Sequence, residues 1–263
     1  MLNSAELKEF LEEKYDLYNR PSFVDTDPIQ IPHRFTKKED IEISAFLSSI
    51  IAWGNRKMII RNAEKMLEIM QNNPYEFILN FSKNDLSKIT NFKHRTFQTI
   101  DFKYFLLSLQ NIYKKHKGLE NVFTEGYKAD KTVFSALKYF REIFFELPHE
   151  KRTEKHIANV LKKSAAKRIN MFLMWMVRND GRGVHFGIWN KIPSDNLLIP
   201  LDVHSGNTAR ALGLLTRKQN DLKAVTELTN KLKQFDAEDP VKYDFALFGL
   251  GIFEKFIKNS YRS

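Results

Sequence analysis

Cysteine is missing altogether from the 263 residues. Its absence excludes disulfides, thiolate metal sites and a cysteine-held iron–sulfur cluster, and makes an intracellular protein the simplest reading. Long apolar runs are missing too. The longest, Met171–Val177, spans seven residues, against the roughly 20 that a membrane helix needs. The opening segment, Met1–Phe10, is charged and amphipathic and lacks the apolar centre of a secretion signal. The seven histidines (33, 94, 116, 149, 156, 185 and 204) never pair at a metal-binding helical spacing beside a carboxylate, so neither zinc nor another metal is expected. Ten glycines and eight prolines leave few places where regular structure must break.

What remains is helix-forming and aromatic. Hydrophobic residues make up 43% of the chain and include 22 phenylalanines, enough to build a real core. Apolar positions recur at spacings of three and four, and no long alternating run demands a sheet. The chain therefore reads as all-α, with roughly a dozen helices. They are expected over 1–18, 38–53, 55–72, 74–80, 101–116, 118–127, 130–146, 153–161, 164–178, 194–197, 203–213, 218–234 and 239–257. Residues 21–37, with Pro21, Pro28 and Pro32, read as an irregular connection, and Gly181–Gly187 as a glycine-rich loop. Net charge is +10, distributed as −4 over residues 1–50, +11 over 51–180 and +3 over 181–263. A basic middle segment suits a polyanion, and equally suits lysines solvated on helix surfaces.

Two segments carry candidate chemistry. In the first, Ser164-Ala-Ala-Lys167-Arg168, Ser164 reads as an N-cap and Lys167 falls in the first helical turn. The helix dipole disfavours a cation there, and Lys151, Arg152, Lys155, Lys162, Lys163 and Arg168 crowd the same stretch with only Glu154 opposing. Like charges and partial burial favour a neutral amine, which can attack carbon and form a Schiff base. A helix start among cations also suits a phosphate. Taken alone, the segment reads better as a basic helix end on the surface than as a reactive site. In the second, Pro200-Leu-Asp202-Val-His204, Asp202 opens a helix and is a natural N-cap; a carboxylate there can also stabilise a sugar cation or orient an attacking amine.

Together, Lys167, its apolar helix, a loop, then Pro200-Leu-Asp202-Val-His204 with Arg210 beyond, resemble the helix-hairpin-helix-GPD superfamily of DNA glycosylases, and most of all the archaeal-type 8-oxoguanine glycosylase/AP lyases. The resemblance implies a two-lobed helical fold with a cleft between the lobes. One lobe would be contiguous, 40–178, ending in the hairpin and the Lys167 helix. The other would be discontinuous, 1–39 with 179–263, and would carry Asp202. It implies Lys167 as the nucleophile and Asp202 as the second essential group. Trp53-Gly-Asn55-Arg56 resembles the segment that wedges into DNA opposite a flipped base. Asp244 and Phe248, one turn apart, resemble the pair that helps hold the base. Lys162, Lys163, Ser164, Arg168 and His204 would join Asn55 and Arg56 in gripping DNA, and Trp53 would complete the base pocket. The implied substrate is double-stranded DNA carrying an oxidised purine such as 8-oxoguanine. The implied setting is a monomer in the bacterial cytoplasm or nucleoid, without membrane or cofactor.

The chain departs from the family pattern in two places. Lys163, Ser164 and Ala165 stand where the hairpin is usually glycine-rich, so side-chain cations must supply the phosphate grip. Lys167 and Asp202 lie 35 positions apart, longer than in most of the superfamily. As a whole the sequence looks like a member of a bacterial family at the edge of this superfamily. The competing readings are a non-catalytic helical module binding DNA or RNA by charge and shape, and a protein scaffold with an incidental basic face. Ser164-Ala-Ala-Lys167 matches a serine-hydrolase pattern whose other parts are absent. Trp175 reads as core, and Asp236, Glu238 and Asp239 read as the cap of the last helix.

Overall fold

The computed structural model describes residues 3–256. Residues 1, 2 and 257, expected to be helical, lie outside them. The described chain forms twelve α-helices: α1 Ser4–Tyr18, α2 Lys38–Ile50, α3 Arg56–Ile69, α4 Pro74–Asn80, α5 Lys83–Lys88, α6 Thr99–Lys115, α7 Leu119–Lys128, α8 Val133–Phe144, α9 Lys167–Val177, α10 Val203–Ala211, α11 Leu222–Lys233 and α12 Asp244–Ile252. The one sheet among the described residues is an antiparallel pair, β1 Lys93–His94 with β2 Phe97–Gln98. The protein is thus predominantly helical, and none of its described helices is long and apolar enough to cross a membrane.

Several expected helices are trimmed or replaced, each by local chemistry. Residues 21–37, expected as an irregular connection rather than a helix, hold three 3-10 turns, over Pro21–Thr26, Pro28–Gln30 and Pro32–Arg34, because each proline presets φ for a first turn. The stretch 153–161 is not α-helical but splits into 3-10 turns Lys151–His156 and Val160–Lys162. Position 130 is not helical: Lys131 is left-handed, and Thr132 caps α8 by accepting from the Ser135 N–H at 3.2 Å. The helix expected from 218 starts only after Asp221, whose carboxylate accepts from the Ala224 N–H. The acidic cluster does not cap the last helix. Asp236 accepts from the N–H groups of Glu238 and Asp239, and Asp239 engages Arg178.

The chain divides into two compact units, Met1–Phe23 with Val160–Ser263, and Val24–Asn159. These bounds differ from those expected at 39/40 and 178/179. Residues 160–166 and the Lys167 helix fall in the unit that carries Asp202, where Leu222 N donates to Lys163 O and Trp189 packs on Phe172.

The Val24–Asn159 unit is built on phenylalanine. Val133, Ala136, Leu137, Phe140 and Phe144 line one face of α8 at helical spacing and are buried. Phe140 stacks on Phe123 of α7 with ring centroids 4.4 Å apart, and Phe144 meets Phe105 of α6 at 4.7 Å. At Gly126 an added Cβ would stand 2.9 Å from the Ala136 backbone, so only glycine lets α7 and α8 approach this closely.

In the other unit, α1 starts from a capping box, Asn3 with Glu6, and buries Leu7, Leu11 and Tyr15. Helix α12 runs between α1 and α10. A Cβ on Gly249 would lie 2.1 Å from Tyr18 Cδ2, and one on Gly251 would lie 3.0 Å from Thr208 Oγ1 and 3.3 Å from His204. Arg178, only 1% exposed, is the polar hub. Its guanidinium donates to both oxygens of Asp239, to the Tyr15 hydroxyl at 2.8 Å and to His185 Nδ1 at 3.1 Å. Asp180 completes the hub at 2.9 Å; burial pushes its carboxyl up, but the Arg178 charge and hydrogen bonds from Arg182, Asn19 and Tyr15 hold it lower, at about 2. Gly249→Ala is expected to destabilise this unit by about 1–3 kcal/mol through overpacking against Tyr18, while Gly213→Ala, whose Cβ meets nothing within 4 Å, tests the left-handed backbone alone. A Gly249→Ala protein that melts as wild type does would show that the α1–α12 contact is not tight.

Candidate active site around Lys167 and Asp202

The helix bearing Lys167 begins in an unusual way. Its N-cap is not Ser164 but Ala166, at φ 49 and ψ 32, and no side chain caps it. Lys163 is also left-handed, at φ 63. L-residues pay roughly 1–2 kcal/mol for that conformation, so surrounding bonds must hold it. Lys163 N donates to Val160 O and Lys163 O accepts from Leu222 N, both at 2.9 Å. Ser164 forms a β-bridge with Asp221, and its hydroxyl accepts from Ala166 N at 3.3 Å. Asn170 Nδ2 donates to Ala165 O at 3.1 Å. The tight backbone for which glycine is usual is built here without glycine.

Asp202 caps α10 with one oxygen. Oδ1 accepts from the N–H groups of His204 at 2.8 Å and Ser205 at 3.0 Å, while the Asp202 N–H donates to Ser205 Oγ at 3.0 Å. The other oxygen, Oδ2, lies 3.9 Å from Lys167 Nζ. Each side chain is 26% exposed, so the pair is neither sealed in the core nor free on the surface. Lys167 Nζ also lies 3.6 Å from Met171 Sδ, one turn along α9. The ammonium therefore has a carboxylate on one side and a soft apolar atom on the other.

Lys162, Lys163, Ser164 and Arg168 neighbour Lys167 along the chain, and His204 neighbours Asp202. Lys162 and Lys163 are exposed, Ser164 is half-buried and His204 is exposed beside the cap. Arg168 is half-buried, and burial lowers its guanidinium to about 10. Asp244 is the first residue of α12, and Phe248, one turn later, meets Phe23 and Phe253 edge-on at 6.2 Å. Trp53, Asn55 and Arg56 belong to the Val24–Asn159 unit. There Asn55 caps α3 by accepting from Met58 N at 3.2 Å, and Arg56 lies 4.0 Å from Asp27. The half-buried Trp53 ring sits edge-on to His94 at 4.8 Å and stacks at 6.1 Å over His156. Trp175 and Trp189 are core residues, 2% and 1% exposed. Among the described residues no group of three or more His, Asp or Glu is placed to hold a metal ion.

Asn220 escaped the sequence reading. Its amide donates to the Asp202 carbonyl at 2.9 Å and accepts from Arg210 Nη2 at 2.5 Å. The only sequence signal was an Asn-Asp pair just ahead of the amphipathic run of α11.

Because capping uses Oδ1 alone, the two jobs of Asp202 separate by substitution. Asp202→Asn keeps an acceptor for His204 and Ser205 and should melt close to wild type, whereas Asp202→Ala should lose about 1 kcal/mol. Equal melting losses for the two variants would assign the stabilisation to the charge rather than to the cap.

Neither a curated protein nor a solved structure matches the chain. One family model does, over residues 27–253, and the chain therefore belongs to the family described as "Protein of unknown function (DUF2400)".

Proposed function

We propose that the protein is a DNA base-excision glycosylase with AP lyase activity, acting on an oxidised purine of the 8-oxoguanine kind. The observation that carries this reading is the 3.9 Å approach of Lys167 Nζ to Asp202 Oδ2, with Oδ1 held by the helix cap. A nucleophile needs a fixed partner within near-contact range, and a carboxylate whose other oxygen is anchored provides one.

In this mechanism the unprotonated Lys167 amine attacks C1′ of the damaged nucleotide. The glycosidic C1′–N bond breaks and its electron pair leaves with the base, which takes up a proton. Asp202 Oδ2 stabilises the positive charge that develops on the sugar and accepts the proton lost from Nζ. The C1′–O4′ bond then opens, its electron pair staying on O4′, which takes the proton from Asp202, and a Schiff base forms between Nζ and C1′. Loss of a C2′ proton and departure of the 3′ phosphate cut the strand. Hydrolysis of the remaining imine returns the lysine.

The surroundings support a nucleic-acid substrate. Lys162 and Lys163 stand exposed beside the hairpin, where they can meet phosphates. Leu161 and Val203, adjoining Lys162 and Asp202, are the two most exposed large apolar side chains among the described residues, at 60% and 64%. Apolar groups left in water beside a candidate nucleophile suit a surface that a ligand covers. Asp244 and Phe248, a carboxylate and a ring one turn apart on α12, are the proposed base-holding pair.

Two outcomes follow. Lys167→Gln should fold and bind an 8-oxoguanine duplex as wild type does, yet give neither a borohydride-trapped adduct nor strand cleavage. Should wild type bind such duplexes no better than undamaged DNA and never be trapped on any lesion, the non-catalytic binding reading would replace this one. Charge reversal at Lys162 and Lys163 should weaken binding to all sequences alike and flatten its salt dependence, because phosphate contacts carry no sequence information. An unchanged salt slope would place the DNA contact elsewhere.

A further inference from the structure

Three consecutive residues, Asn220, Asp221 and Leu222, touch both halves of the candidate site. Leu222 N donates to Lys163 O at 2.9 Å, and Asp221 bridges Ser164, so this stretch pairs with the turn that launches the Lys167 helix. Asn220 Nδ2 donates to the Asp202 carbonyl at 2.9 Å, so the same stretch holds the start of the Asp202 helix. Lys167 and Asp202 come from helices joined by a long connection, and the hydrogen-bonded segment 220–222 joins their two starting points directly.

The segment is itself anchored. Asp221 caps α11 through Ala224 N at 3.1 Å, and its carboxylate pairs with Arg217, which holds that carboxyl well below its ordinary range. Arg210, on α10, donates to Arg217 O at 2.8 Å and to Asn220 Oδ1 at 2.5 Å. Gly206, one turn after the cap, leaves the space that Asn220 fills. A Cβ there would stand 2.8 Å from Asn220 Oδ1 and 3.1 Å from Nδ2.

We infer that residues 220–222 form a positioning strap that sets the separation of Lys167 and Asp202, with the Asn220 amide as its essential link. Two left-handed L-residues, Lys163 and Ala166, need such outside support, since nothing in their own side chains favours that backbone. Asn220 has no part in bond making. It keeps Oδ2 opposite Nζ by fixing the backbone from which the Asp202 side chain springs. The consequence for chemistry rests on the Schiff-base reading above, whereas the mechanical role does not.

The experiment compares wild type with Asn220→Ala, Asn220→Asp and Gly206→Ala, with Thr216→Val as control. Asn220→Asp keeps the acceptor for Arg210 but loses the donor to Asp202. Gly206→Ala displaces the Asn220 amide without altering it. Thr216→Val removes a bond to Glu227 in the same connection and touches neither half of the site. Hydrogen exchange reads the strap directly: the first three should speed exchange in both 161–168 and 202–206, and the control in neither. Single-turnover borohydride trapping on an 8-oxoguanine duplex reads the consequence: a fall on the order of tenfold or more in rate for the three, with duplex affinity within about twofold of wild type. Unchanged exchange in either segment of the Asn220 variants would overturn the strap. Unchanged trapping rates in those variants would overturn its positioning role. A wild-type protein that is never trapped would sink the Schiff-base reading alone, leaving exchange to decide the strap.

Discussion

One carboxylate, Asp202, meets two demands that usually need two residues. Its Oδ1 satisfies backbone N–H groups at the start of α10, which would otherwise lack helical partners. That bond fixes the side-chain rotamer, and Oδ2 is thereby held 3.9 Å from Lys167 Nζ. A carboxylate without the cap would be free to swing into water. A capping serine would leave no charge for the amine. The two oxygens thus have separate neighbours, backbone N–H groups for Oδ1 and the lysine for Oδ2.

The lysine side of the pair depends on backbone strain held from outside. Two L-residues in left-handed conformation turn the chain so that α9 begins at Lys167. Burial of Ile169, Phe172, Leu173 and Met176 then fixes the helix in the core. Glycine would adopt the same turn without steric cost but would lose more freedom on folding. With lysine and alanine there, the turn relies on its bonds to Leu222, Asp221 and Asn170. An exposed cation, Lys163, also stands in this turn.

The helix cap at Asp202 was legible in the sequence because its signals are local. Asp202 after a proline and before a helical run is legible as a cap from chain chemistry alone, and the structure places it there. The helical class was legible from periodicity. Ser164 was misread because a cap preference says nothing of the backbone: the left-handed turn at Ala166 moved the helix start two residues on. The short strands at Lys93–His94 and Phe97–Gln98 were invisible, since two residues carry no alternation. Asn220 was missed for a different reason. Its role lies in contacts 18 and 10 positions away, with Asp202 and Arg210, and no pattern along the chain announces a long-range amide bond.

The central claim is that one particular amine among many lysines reacts. The most direct measurement is to reduce the protein with borohydride on an 8-oxoguanine duplex, digest the adduct and locate the DNA-bearing lysine by mass spectrometry. A single modified site at Lys167 is the outcome this account predicts. An adduct on Lys162, Lys163 or any other lysine, with Lys167 unmodified, would contradict it.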